Sequence, residues 1–182
     1  MADQRDLLKH IEILGTVVRS AILKRALTSQ NSEPGLNFWR LIYGNLLDVA
    51  VLAWCMIFGS DAEPTHWKRV VPELQHEVFR ADLLSAMKID EPVWAEYREE
   101  MKTYRDTQVA HYQEGATHYP RLDLALESSY FYYTYLLTEL RRMGETRFPD
   151  SLREYANRFA SQSAEIARVA LDSTTGIQEG VF

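Results

Sequence analysis

Apolar residues recur along this chain at steps of three and four, the spacing that gathers side chains onto one face of an α-helix. Leu7, Leu8, Ile11, Leu14, Val17, Val18, Ala21 and Ile22 form the first such stripe. Its helix is expected to end near the polar run Thr28-Ser29-Gln30-Asn31-Ser32, ahead of Pro34-Gly35. A second helix is expected over residues 36–58, and its later half is apolar nearly all round, as in a helix enclosed by several neighbours. Gly59-Ser60-Asp61 stops it, Pro64 and Pro72 break the next stretch, and Leu74, Val78, Phe79, Ala81 and Leu84 mark a third helix. Asp90-Glu91-Pro92 joins an acidic cap to a proline in the first turn, where the missing N–H costs little. The helix it opens is expected to reach about Gln113 and to stop near Gly115. His118-Tyr119-Pro120 reads as a loop, residues 122–143 as a helix closed by Gly144, and Pro149-Asp150-Ser151 as the start of a last helix reaching about Leu171. Five or six helices with short connections and no alternating strand pattern predict an all-α, single-domain helical bundle over residues 1–172, followed by a loose tail over 173–182.

Composition narrows the partners. Hydrophobic residues make up 46% of the 182, enough to fill a core, and 20 Lys+Arg against 26 Asp+Glu give a formal net charge of -6. Neither half of the chain is net basic, so the broad cationic face that wraps duplex nucleic acid is missing; a local basic site remains compatible with the average. Cys55 stands alone, which leaves no internal disulfide framework and no all-cysteine metal site. The opening MADQRDLLKH has no apolar run of the signal-peptide kind, and the longest apolar stretch, residues 46–58, is shorter than the roughly 20 residues of a membrane span. A cytoplasmic protein without a membrane partner is therefore expected.

The chemistry concentrates in Lys102-Thr103-Tyr104-Arg105-Asp106-Thr107-Gln108-Val109-Ala110-His111-Tyr112, late in the helix that opens at Pro92. An arginine followed by a histidine after four to six residues also occurs at Arg5 to His10 and at Arg69 to His76. The first lies at the chain's fraying start and the second is interrupted by Pro72, so helical context singles out Arg105 to His111.

That segment resembles the Arg-x(4–6)-His motif of the HEPN superfamily (higher-eukaryote and prokaryote nucleotide-binding domains), in which a polar residue follows the arginine as Asp106 does here. Tyr104 before the arginine, Ala110 before the histidine and Phe38-Trp39-Arg40 look like the abortive-infection AbiU-type branch. The resemblance implies a HEPN-like fold and metal-independent cleavage of RNA without a cofactor, in a toxin or antiviral defence effector. His111 would move the 2′-hydroxyl or leaving-group proton, Arg105 would hold the phosphate, and Asp106 would orient a neighbouring Arg or His. Tyr104 and Tyr112 are the candidate RNA-binding aromatics, and His118 and Arg121 in the following loop the candidate phosphate contacts. An antitoxin protein is the further partner implied. A tyrosine two residues after the histidine, usual where that antitoxin is a nucleotidyltransferase, is replaced by Gln113.

On an ideal helix Arg105 and His111 stand roughly 120° apart and about 9 Å along the axis. Either a distortion near the helix end or a second protomer is then needed to unite them. HEPN proteins typically pair two such helices, so a homodimer is expected, with clustered basic side chains at its seam. Competing readings are a catalytically silent helical dimer of the same kind that binds RNA, a nucleotide or a protein, a solvated face carrying Arg105, Asp106 and His111 without function, and a di-iron bundle built on Glu73 with His76 and Glu63 with His66. The run Tyr130-Phe131-Tyr132-Tyr133-Thr134-Tyr135 is expected in the core, Asp48 as hydrogen-bonded structure, and Cys55 as an inert buried thiol.

Overall fold

A computed structural model describes residues 3–28, 36–110 and 119–179. The described residues form six α-helices and no strand: α1 (Gln4–Thr28), α2 (Asn37–Phe58), α3 (His76–Met87), α4 (Glu91–Tyr104), α5 (Asp123–Arg142) and α6 (Leu152–Thr174). Two short 3₁₀ turns, Trp67–Arg69 and Glu73–Gln75, connect α2 to α3, and a π-helical turn, Arg105–Ala110, continues α4. The all-α single-domain bundle expected from periodicity is the observed architecture.

The long first stripe lets α1 pack along α2, α5 and α6, while α3 lies on α5 and α4 on α2. Trp54, fully buried, is the hub where these layers meet: Phe58, Trp94 and Tyr97 surround its ring at centroid distances of 5.4–5.6 Å. The indole is not merely apolar filler. Its Nε1–H donates to Ser128 Oγ of α5 at 3.0 Å, so the one polar atom of the ring is satisfied inside the core. The aromatic run of α5 packs as expected: Tyr132 and Tyr133 are buried, and Phe131, Tyr132 and Tyr135 ring Phe79 of α3.

Local signals set most helix ends. Asp90 accepts from the Val93 amide at 3.1 Å and Ser151 from the Glu154 amide at 3.1 Å. Gly144 takes φ +83° after α5, a left-handed turn that costs glycine little.

Three boundaries differ from expectation. The third helix begins at His76, after the Pro72 turn, so Leu74 precedes it in solvent; its buried face is Phe79, Leu83 and Met87, while Val78, within the helix, is exposed. The helix opened by Asp90 leaves α-geometry after Tyr104 instead of running as α-helix towards Gln113. The last helix continues to Thr174, and the segment beyond it is docked: Glu179 accepts from the Asn37 and Phe38 amides, and Trp39 Nε1 donates to Thr174 Oγ1 at 2.9 Å. Leu36 supplies no side-chain cap to α2, and the Glu179 carboxylate fills that role at the positive end of the helix.

Outward, α2 shows an apolar stripe of Phe38, Leu41, Val49, Leu52 and Met56. With 22 residues and a mean hydropathy of 1.9 over its most apolar stretch, α2 is long and apolar enough to cross a membrane by length and composition; its opposite face, Leu47, Ala50, Val51 and Trp54, is enclosed by the bundle.

Two imidazoles are sealed into the fold, His10 beside Tyr132 (Nδ1 to hydroxyl 2.8 Å) and His66 beneath the turn between α2 and α3, and burial lowers both to about 4. Between about pH 6.5 and 4 the unfolded chain binds protons that the folded chain refuses, so acid destabilises the fold by about 1.4 kcal/mol per pH unit for each imidazole. Urea melts at pH 7, 6 and 5 should show the midpoint falling, with a shallower fall in His10→Gln; a midpoint independent of pH across this range would contradict the burial of both rings.

Candidate functional site

The motif sits where α4 ends against α2. Tyr104 is buried and its hydroxyl donates to Asp48 Oδ1 of α2 at 2.7 Å, pinning the last α-helical turn. Burial, reinforced by that carboxylate, pushes the Tyr104 hydroxyl well above its ordinary range. Asp48 is hydrogen-bonded structure, as expected. Tyr104, a candidate RNA-binding aromatic in the sequence, has its ring in the core, because the position before the arginine faces α2.

Beyond Tyr104 the chain widens into the π-helical turn, a feature concentrated at functional sites. Thr107 Oγ1 donates to the Thr103 carbonyl at 2.7 Å, offering that carbonyl a side-chain partner in place of a regular α-helical one. Regular α-helical hydrogen bonding therefore gives way at Arg105.

Arg105 keeps only 19% of its side chain exposed. Its Nε–H donates to Asp106 Oδ1 at 2.7 Å, and Nη1 lies 3.7 Å from Glu63 Oε1. The hydrogen bond to Asp106, more than any other contact, raises the guanidinium further above its ordinary value, so its charge is fixed. Cys55 lies buried beneath; its thiol donates to the Met101 carbonyl at 3.7 Å, and burial pushes it up to about 12, so it stays a neutral, inert group.

Glu63 arrives from the turn that follows α2, and that turn is firmly built. Gly59 closes α2 where a Cβ would stand 2.5 Å from the Cys55 carbonyl oxygen, a place only glycine fits. Arg98 of α4 donates to the Phe58 and Gly59 carbonyls at 2.8 and 2.6 Å and lies 3.7 Å from Asp61 Oδ1. Lys68 also binds Asp61, mainly through a hydrogen bond that holds the Asp61 carboxyl below its usual range. Thr65 Oγ1 donates to the Met56 carbonyl at 2.9 Å. His66 accepts from the Lys68 amide through Nδ1, which places its proton on Nε2; that atom is buried 3.3 Å from Asp61 Oδ1 without a hydrogen bond of good geometry.

Arg98, Lys102 and Arg105 thus stand at i, i+4 and i+7 on one face of α4 and its continuation, with Lys68 and Arg69 alongside in the turn after α2. Within the single chain this basic cluster is interleaved with acidic groups, Asp61, Glu63, Glu99 and Asp106, with Lys102 pairing with Glu99 at 2.9 Å. Arg98 was legible from the helical spacing to Arg105, whereas Glu63, 42 positions before Arg105, carried no signal beyond its place in a candidate metal pair.

The other candidates fall elsewhere. Arg121 is exposed and pairs with Asp123 at 3.3 Å. His111, Tyr112 and His118 lie outside the described residues. The pairs considered for a di-iron centre serve the backbone: His76 Nε2 lies 2.8 Å from the Val71 carbonyl, and Glu73 opens a 3₁₀ turn. Among the described residues no three His, Cys, Asp or Glu side chains stand close enough to share a metal ion.

Compared with known proteins, the chain matches no family model, no curated protein and no solved structure.

Removing Arg98 strips partners from two backbone carbonyls and from Asp61 together. Arg98→Ala should cost about 1–3 kcal/mol in urea denaturation. Equal stability would show that the turn after α2 holds without it.

Proposed function

We propose that this chain is a metal-independent endoribonuclease of the HEPN type, acting as a homodimer in a toxin or antiviral defence setting. The observation that supports it most is the guanidinium of Arg105: mostly buried, permanently charged, bonded to Asp106, and set at the start of a π-helical turn within the Arg-x(4–6)-His segment. A solvated surface arginine would be free of such constraint, which weighs against a face without function.

In this reading the RNA 2′-hydroxyl attacks the adjacent phosphorus, the bond from phosphorus to the 5′-oxygen breaks, and a 2′,3′-cyclic phosphate and a 5′-hydroxyl are left. His111 and its copy in the second protomer take the proton from the attacking hydroxyl and return one to the leaving oxygen. Arg105 carries the non-bridging oxygens with its planar fork and offsets the charge that develops on phosphorus. Asp106 holds the fork's Nε edge, which fixes the direction in which the remaining donors point.

The exposed stripe of α2 supports the dimer. Phe38, Leu41, Val49, Leu52 and Met56 form an unpartnered apolar face on the helix that packs against the π-helical turn. A second copy seated there would bring two Arg105 turns near one axis. The carboxylates already on Arg105 favour one alternative, a silent dimer of the same architecture that binds without cleaving.

With EDTA present, the wild-type protein should cleave single-stranded RNA to cyclic-phosphate ends, and Arg105→Ala and His111→Ala should each lower the rate about 10²- to 10⁴-fold while sedimenting as dimers. Undiminished cleavage in His111→Ala would remove the imidazole from the mechanism; cleavage lost to EDTA and restored by a divalent metal would remove the reaction class.

A further inference from the structure

The RNA-cleaving reading needs Arg105 to meet a phosphodiester, yet the structure gives its guanidinium to two carboxylates. Asp106 belongs to the motif itself. Glu63 does not, and its placement is the informative one.

Its backbone is fixed on both sides. The Glu63 amide donates to the Ser60 carbonyl at 3.0 Å, the His66 amide donates to the Glu63 carbonyl at 3.0 Å, and Asp61 is held by Lys68 and Arg98. Its side chain, about a third exposed, reaches Arg105 Nη1 at 3.7 Å, an ion-pair distance too long for a hydrogen bond. So the turn cannot drift away from Arg105, while the carboxylate can leave by turning about its own side-chain bonds. Asp106 grips Nε at 2.7 Å; Glu63 lies beside Nη1, one of the two nitrogens of the outer edge from which a phosphate would take two parallel hydrogen bonds.

We propose that Glu63 is an electrostatic latch on the phosphate site: it lies beside Nη1 of Arg105 in the resting protein, and an incoming RNA phosphodiester must displace it. The inference rests on the ribonuclease reading and adds its regulation. A latch of this kind sets a threshold. A single weak anion does not outcompete a carboxylate tethered beside its cation at high effective concentration, whereas an RNA strand held by further contacts does. Specificity then lies with strands that bind elsewhere on the protein as well as at Arg105.

The test uses the full-length chain, a fluorescein-labelled single-stranded RNA carrying a 2′-deoxy residue at the cleavage position, and inorganic phosphate as competitor. Glu63→Gln keeps the size of the side chain and removes its charge. It should bind this RNA about three- to tenfold more tightly than the wild type and become measurably sensitive to inorganic phosphate, and adding Arg105→Ala should erase both gains. Equal or weaker binding by Glu63→Gln, with binding still lost in Arg105→Ala, overturns the latch and leaves the phosphate role of Arg105 intact. RNA binding unaffected by Arg105→Ala in either background overturns both.

Discussion

Arg105 is a permanent cation with about a fifth of its side chain left to water, and an ion in that position has to be met by opposite charge. Much of the local architecture follows from that requirement. Asp106 lies next in sequence and meets Nε where the helix widens into the π-helical turn. Glu63 reaches Nη1 only because α2 ends at a glycine and the chain turns back beneath α4. The turn stays in place because Arg98, two helical turns before Arg105, satisfies the carbonyls that the end of α2 leaves open. Core, helix end and charge pairing form one chain of cause.

The core makes this arrangement rigid. Trp54 lies one residue from Cys55 and is surrounded by the aromatics of α4, so the face of α4 that carries Trp94, Tyr97, Met101 and Tyr104 is buried along its length. The face bearing Arg98, Lys102 and Arg105 is thereby turned towards the turn after α2. Tyr104 marks the seam between the two faces, its ring in the core and its hydroxyl on Asp48. The burial of Tyr104 fixes where Arg105 starts.

Helical periodicity made the bundle legible, because a buried stripe three and four residues apart has few other uses. Caps with a side-chain mechanism, Asp90 and Ser151, were legible for the same reason. Leu74 misled because an apolar residue next to a proline turn carries no phase of its own, and Phe79, Leu83 and Met87 set the true face. The docking of Glu179 on α2 was invisible: a cap supplied by a residue 142 positions away leaves no local trace. Within the site, Arg105 and Asp106 came from the motif and Arg98 follows from helical spacing, but Glu63 depends on how two distant turns meet. The charge balance within the single chain has a physical reason. A basic helix face folded against an acidic turn is neutralised by it, and the sequence average of -6 already held those acids.

Function, in this picture, depends on Arg105 meeting the phosphodiester. The most direct measurement is the side-chain Nε–H resonance of Arg105, assigned through Arg105→Lys, during titration with a 2′-deoxy-blocked RNA oligonucleotide. This resonance should shift in proportion to the bound fraction while that of Arg153, paired with Glu127 between α5 and α6, stays still. Saturable RNA binding that leaves the Arg105 resonance unmoved would contradict the phosphate role of Arg105.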